Sequence, residues 1–392
     1  MRILFLHEVG YLEKPIFEMH EFPEHLAARG HEVAFADYPE TPNHQTASRY
    51  GVVIQGRVLS GASLRLYSQT AVFPGIIGRL LAVFFFPFFF YRVLRDFKPD
   101  LVVSFAVPTS GWQAVIICKI QKLPILFRAL DVSHKIRRSA FGSMVRSAER
   151  FVYRNSTWVS CNNAALRDYC LKLGAHKDRS SVELPVLDLV HFRAGNDDRQ
   201  RMRAKLGIAG DATVVAYMGS FFYFSGLDRV IEQLSKVADK PQLVLIGGGE
   251  QEVELRKLVT SLKLEDYVTF TGFVGFDELP AYLSVADVAI NPMLPSLVSD
   301  SALPNKVLQY MASRLPVVST DLKGLSSLFP SAEGLSLVSS PEEVLKKSIA
   351  IAADANLSQM GRANKKLVDE TFETDKSING FEQLLTEIRS SQ

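Results

Sequence analysis

The chain has 392 residues, 47% of them hydrophobic and 22% charged, and a formal net charge of +2. This is a globular composition, and the near-balanced charge excludes a global polycation built for nucleic acid, so any basic function is local. The length implies two domains of about 150–200 residues rather than one core.

Three cysteines, Cys118, Cys161 and Cys170, are too few and too scattered for a disulfide framework or a zinc site, which suits a reducing, cytoplasmic setting. The first apolar run, Ile3-Leu4-Phe5-Leu6, meets charge at His7 and Glu8. It is too short for a secretory h-region, so no signal peptide is expected, and it has the length of a buried strand. A helix follows over 17–29, stopped by Gly30, then a strand over 32–36. Strands over 101–105, 124–129 and 156–160 are each followed by a helical stretch, the rhythm of a parallel sheet covered by helices.

The longest apolar run is LLAVFFFPFFFY (80–91), bounded by Arg79 and Arg92. It falls short of the about 20 residues a spanning helix needs, and Pro87 is expected to break it. Two readings stand: a core helix, or a segment that docks at a membrane interface. The segment 134–154 carries Lys135, Arg137, Arg138, Arg146, Arg150 and Arg154. With the phenylalanines it predicts peripheral attachment of the first domain to an anionic membrane surface.

The strand–helix rhythm restarts after about residue 190. Strands are expected over 214–219, 243–249, 268–272, 288–292 and 316–320, and helices over 227–236 and 277–283. The polar stretch HFRAGNDD (191–198) marks the linker. The expected division is 1–192, an N-terminal Rossmann-like domain, and 193–373, a C-terminal one, with a last helical segment, 374–392, packing back on the first domain.

Ligands of open α/β sheets sit at the carboxyl ends of strands. There the second half carries Gly219-Ser220, the triplet of glycines at 247–249, and Gly272-Phe273. No G-x-G-x-x-G follows the first strand, which argues against a dinucleotide oxidoreductase, and no Walker A motif is present. The stretch NPMLPSLVSDSALPNKVLQYMASRLPVVST (291–320) runs from a polar loop through Pro304-Asn305-Lys306 into a helix over 307–313. A helix N-terminus carries free N–H groups and about half a positive charge, which suits a diphosphate; Lys306 adds a full charge, and Gln309 lies one turn on. In the first half, Asp131 and His134 follow the strand over 124–129 and suit the orientation or deprotonation of an acceptor hydroxyl. His7-Glu8 is a second candidate pair of that kind.

These residues resemble, across nearly the whole chain, the family 4 retaining glycosyltransferases of the GT-B fold. The matching segments are HEFPEHLAARGHEVAF (20–35), RDFKPDLVVSF (95–105), LPVLDLVHF (184–192), the stretch 219–227, LVLIGGGEQE, VTFTGFV, LPAYLSVADVAI and LPNKVLQYMASRLPVVST, in the family's order. The resemblance implies two doubly wound domains facing across a cleft. It implies a nucleotide-sugar donor on the C-terminal domain, an acceptor glycan or lipid-linked glycan on the N-terminal domain, retention of configuration, and no metal or other cofactor. It assigns Gly219, Ser220, Gly248 and Asn305 to the donor loops and the base to the backbone around Gly272, Phe273 and Val274. The ribose falls to Gln309, and the donor sugar to Ser301 with Asp300 adjacent. The chain departs from the family pattern where both motif carboxylates are replaced, by Ser301 and Gln309. Ser220 and Ser225 stand at the usual phosphate-binding Arg and Lys, and the common acceptor-side His falls near Phe105. A P-x-K variant of the motif, familiar in surface-polysaccharide transferases, moves the phosphate charge to Lys306. The competing class is a non-catalytic scaffold that binds a partner or glycan; an epimerase or phosphorylase on the same fold is a further alternative.

Overall fold

A computed structural model describes residues 1–14, 16–38, 49–70, 75–133, 142–187, 189, 191–192 and 196–391. The chain forms two compact units, Met1–Leu187 with Phe372–Gln392, and Asp188–Thr371.

The first unit holds an eight-stranded sheet in the order β3-β4-β2-β1-β5-β6-β7-β8. Its strands are β1 (Arg2–Leu6), β2 (Glu32–Asp37), β3 (Tyr50–Gln55), β4 (Ser63–Ser68), β5 (Leu101–Ser104), β6 (Ile125–Ala129), β7 (Trp158–Cys161) and β8 (Ser180–Val182). All neighbours are parallel except the β3–β4 hairpin. The parallel strands are buried on both faces, which is why β5 reads LVVS and β6 ILFRA without polar alternation. Arg128 is the exception on β6. Fully buried, it reaches Glu18 at the start of the Glu18–Ala28 helix, with Nη2 2.6 Å from Oε1, and donates to Ser160 Oγ at 2.7 Å. The core joins Phe5, Phe22, Phe35 and Leu126 to Ile378, Phe381, Leu385 and Ile388 of the Thr374–Ser390 helix.

The apolar run 80–91 lies within one helix, Gly75–Phe97, and Pro87 does not end it. A proline removes the hydrogen bond to the carbonyl four residues earlier. Here the Val83 carbonyl instead accepts from Gln113 Nε2 at 3.0 Å. The helix is apolar on both sides. Phe86, Phe90, Val93 and Phe97 are buried, whereas Phe84 is 78% and Phe88 73% exposed, with Leu80, Phe85 and Tyr91 beside them. No helix of the described residues is long and apolar enough to cross a membrane.

The second unit holds a six-stranded, all-parallel sheet in the order β11-β10-β9-β12-β13-β14. Its strands are β9 (Val214–Met218), β10 (Gln242–Ile246), β11 (Val268–Gly272), β12 (Val288–Asn291), β13 (Val317–Thr320) and β14 (Leu335–Val338). From β9 the chain winds outward through β10 and β11, then returns to β12 on the other side. The order therefore reverses between β9 and β12, the kind of switch point at whose carboxyl side ligands of open α/β sheets bind.

Candidate functional site

At that reversal point the Asn305–Ala312 helix is held against β9 by Tyr310. Its buried hydroxyl accepts from Met218 N at 2.6 Å and donates to Met218 O at 3.2 Å. The helix begins two residues earlier than the sequence pattern suggested, so Lys306 lies in its first turn. Fixing the helix there aims Lys306 at the end of β9. Its Nζ donates to the Tyr217 hydroxyl at 2.6 Å and lies 4.1 Å from the centre of the Tyr217 ring. Tyr217 is fully buried, and its hydroxyl in turn donates to the Ser220 carbonyl at 3.0 Å. Burial of the Lys306 ammonium pushes its pKa down to about 7, because removal from water disfavours the charged form. Burial likewise raises the Tyr217 phenol, so that group stays neutral.

Gly219 completes the arrangement. Its φ is +134°, and a Cβ at that position would stand 3.0 Å from Lys306 Nζ. Gly247 and Gly272 close the next two strand ends, with Gly247 N donating to Gly272 O at 3.0 Å. Gly248 is buried, its carbonyl accepting from Phe221 N at 2.9 Å, and the Phe273 ring lies 3.0 Å from where its Cβ would be. Phe273 is 81% exposed and Val274 half-buried. Asn305 is exposed at the helix start, and Gln309 is half-buried one turn on. Ser301 is buried at the end of the short Leu297–Ser301 helix, while Asp300 Oδ2 lies 3.7 Å from Lys323 Nζ. The second unit thus places Gly219, Ser220, Gly248, Gly272 and Phe273 at or just past the carboxyl ends of β9, β10 and β11, with Lys306 reaching the end of β9 from the first turn of its helix. Among the described residues, no group of three or more His, Cys, Asp or Glu side chains has an arrangement suited to a metal ion.

In the first unit the sheet order reverses between β1 and β5. His7, past the end of β1, stacks on Phe105, past the end of β5, with ring centres 5.4 Å apart. Glu8 Oε1 accepts from the Thr109 and Ser110 amides, both at 2.7 Å, at the start of the Gly111–Ile120 helix. Asp131 follows β6, and burial, reinforced by Glu149, raises its carboxyl pKa to about 6. His134, the other acceptor-side candidate after β6, lies outside the described residues. Tyr217 and Tyr310 were not anticipated as site residues. In the sequence they are ordinary apolar positions of a strand and a helix.

Two family models match the chain in succession: Glycosyltransferase Family 4 over residues 19–185 and Glycosyl transferases group 1 over residues 212–354. The chain is 26% identical over 261 residues to the putative teichuronic acid biosynthesis glycosyltransferase TuaC of Bacillus subtilis, a match covering 65% of this chain and 61% of that protein. It is 23% identical over 386 residues to the putative colanic acid biosynthesis glycosyl transferase WcaI of Escherichia coli, covering 92% of this chain and 93% of that one. Among solved structures, Anabaena HepE in complex with UDP superposes with a TM-score of 0.76 at 16% identity, over 99% of this chain and 100% of that chain. The first model falls on the first unit and the second on the second, and the chain belongs to the family 4 glycosyltransferases of the GT-B fold.

Proposed function

We propose that the protein transfers a sugar from a nucleotide-diphosphate sugar to a glycan or lipid-linked glycan, with retention of configuration, in the assembly of a cell-surface polysaccharide. One observation carries the reading. The Lys306 ammonium stands beside Gly219 at the first turn of a helix, where its hydrogen bond among the described residues goes to a neutral phenol rather than to a carboxylate. A departing diphosphate there meets a full positive charge, the partial charge of a helix N-terminus and an open glycine backbone. Ser220 and Ser225 bring no charge to the same site, so Lys306 bears the electrostatic load. In this reading the base lies against Phe273 and Val274, the ribose against Gln309, and the donor sugar towards Asp300 and Ser301. Asp131 and the His7–Phe105 pair serve the acceptor hydroxyl. The teichuronic and colanic acid biosynthesis for which TuaC and WcaI are named, and the UDP bound to HepE, support the reading. It includes transfer without a metal ion, as the resemblance implies.

Peripheral attachment to an anionic membrane belongs to the same proposal. The Gly75–Phe97 helix, which exposes Leu80, Phe84, Phe85, Phe88 and Tyr91, packs against the Gly111–Ile120 helix, which exposes Ile116 and Ile120. Next to that, the Gly142–Asn155 helix exposes Met144 with Arg146 and Arg150. Exposed apolar side chains on two packed helices, with basic side chains exposed on a third, suit a headgroup–acyl boundary.

Thermal shift and calorimetry against UDP, GDP and their sugars, with and without EDTA, test the donor site. Binding of one nucleotide, unchanged by EDTA, is expected, and Lys306→Ala is expected to lower transfer by about 10²-fold or more. A protein that binds neither nucleotide refutes the proposal. One that binds a nucleotide but neither transfers nor hydrolyses its sugar is the scaffold that Ser301 and Gln309, in place of carboxylates, would favour.

A further inference from the structure

Within the first unit, a groove of about 550 Å³ opens at the amino-terminal ends of β6, β7 and β8. Glu8, Phe105 and Asp131 follow the carboxyl ends of β1, β5 and β6, so the groove lies at the other end of the sheet from the acceptor-side candidates. Its apolar lining comes from Leu123 and Ile125 at the start of β6, Trp158 at the start of β7 and Ile388 of the last helix, all buried or half-buried. The indole is fixed, because Trp158 Nε1 donates to Ser181 Oγ at 2.7 Å.

The exposed lining is mainly basic. Lys119 lies in the last turn of the Gly111–Ile120 helix, Arg154 in the last turn of the Gly142–Asn155 helix, and Arg179 ends the turn before β8. Asn155 orients the first of these: its Nδ2 donates to Phe151 O and its Oδ1 accepts from Lys119 Nζ, both at 2.8 Å. Arg167 ties down the turn that carries the third, donating to the carbonyls of Lys177 and Ser180, both at 3.0 Å. Among the described residues none of the three cations is paired with a carboxylate, and Asp178 is the one acidic side chain of the lining. Cations in a last turn complement the helix dipole, which explains Lys119 and Arg154 singly. It does not explain why they share a groove with Arg179 and a fixed indole.

Three cations against one carboxylate suit an anion, Asp178 suits a ligand with hydrogen-bond donors of its own, and the indole suits an apolar part. A phosphodiester headgroup bearing hydroxyls and joined to a lipid has all three, and tryptophan is a side chain that settles at headgroup level. The surroundings select the lipid. Lys119 is flanked on its own helix by Ile116 and Ile120, the latter 72% exposed, and Arg154 continues at four-residue spacing the exposed series Arg146 and Arg150. The two helices pack together, so the groove is continuous with the surface assigned above to the membrane.

We propose that this groove seats the headgroup of a hydroxyl-bearing anionic phospholipid, with Lys119, Arg154 and Arg179 on the phosphate, Asp178 on the hydroxyls and Trp158 against the glycerol backbone. The inference rests on the membrane-attachment reading and adds to it a choice of headgroup.

The chain has two tryptophans, so Trp112→Phe leaves Trp158 as the sole fluorescent reporter. Its emission is followed against three probes: phosphatidylcholine vesicles containing phosphatidylglycerol, the same vesicles containing oleate at matched surface charge, and soluble glycerophosphoglycerol. Phosphatidylglycerol vesicles are expected to shift the emission to the blue and oleate vesicles to leave it in place. Arg154→Gln with Arg179→Gln, both exposed, is expected to abolish the shift and lower affinity for phosphatidylglycerol vesicles about tenfold or more. Arg146→Gln with Arg150→Gln removes the same charge outside the groove and is expected to keep the shift. Phe84→Asp with Phe88→Asp is expected to keep the response to glycerophosphoglycerol while losing vesicle docking. Vesicle binding that is equal for both anionic lipids and leaves Trp158 unmoved overturns the headgroup site and leaves membrane attachment standing. A response to glycerophosphoglycerol from a wild type that binds no vesicle overturns the lipid assignment in favour of a soluble phosphodiester, and silence towards all three probes overturns attachment and headgroup site together.

Discussion

With the donor diphosphate at Lys306, as proposed, binding is a proton-linked event. In the free protein burial holds the Lys306 pKa at about 7, against 10.5 for the ordinary side chain. A diphosphate beside the ammonium favours the charged form and returns the pKa towards the ordinary range, so binding above pH 7 draws a proton from solvent. With a free-state value of about 7, uptake is about 0.5 proton at pH 7 and about 0.9 at pH 8. The protonated fraction falls from about three-quarters at pH 6.5 to about 3% at pH 8.5, so affinity falls by up to about 25-fold over that span. Calorimetry with whichever nucleotide sugar binds, in buffers of different ionisation enthalpy, measures both quantities. The diphosphate of a nucleotide sugar does not itself titrate there. Lys306→Met removes the proton uptake and flattens the profile. The ligand-free variant is also more stable at pH 7.5. Between about pH 7 and the ordinary lysine value the unfolded wild-type chain binds a proton that the folded chain refuses, which costs stability that methionine restores. Constant affinity from pH 6.5 to 8.5 with no buffer-dependent heat refutes the proton linkage.

Phe84→Asp with Phe88→Asp, both at exposed positions, abolishes flotation with anionic vesicles and leaves the melting temperature unchanged, because burial of each ring contributes about 1.5–3 kcal/mol to docking; equal flotation of variant and wild type counts against membrane attachment. Gly226→Ala drives a methyl into the Pro292 carbonyl at a left-handed φ, so a loss of several degrees in melting temperature is expected, and an unaltered melt contradicts it. Asp131→Asn stabilises the protein at pH 7.5 by removing a carboxylate whose ionisation burial opposes. The raised carboxyl pKa, about 6, means that the wild type gains stability as pH falls from above 6 towards the ordinary carboxylate value. Melts at pH 5 and 7.5 check the sign, and a lower melting temperature for Asp131→Asn at pH 7.5 refutes it. Loss of transfer in the same variant would assign the carboxyl to the acceptor.

The parallel strands were legible because strands buried on both faces carry unbroken apolar runs, as in VVAYM of β9 and VAIN of β12. The β3–β4 hairpin was not. β3, YGVVIQ, is a half-exposed edge strand with a glycine at its second position, and its pattern has no buried period to read. The reading of Pro87 as a break failed for a tertiary reason, since Gln113, remote in sequence, takes the hydrogen bond that the proline forfeits. The place of Lys306 at the start of an amphipathic helix was legible from the sequence pattern. The phenol of Tyr217 was not, because its partner belongs to a helix almost ninety residues further along the chain.

The Thr374–Ser390 helix completes the core of the unit that begins at Met1: Phe381 packs on Phe22 at 4.2 Å between ring centres, and Ile378, Leu384, Leu385 and Ile388 join the same cluster. The unit made first is therefore finished last. During synthesis its core waits while the roughly 180 residues of Asp188–Thr371 are added, about 10–40 s at typical elongation rates. The second unit is contiguous in sequence and can fold in that interval, while the surface of the first that awaits Phe381 stays open to solvent. On the ribosome the amino-terminal half is the vulnerable one, and a chain truncated before the last helix leaves it permanently so.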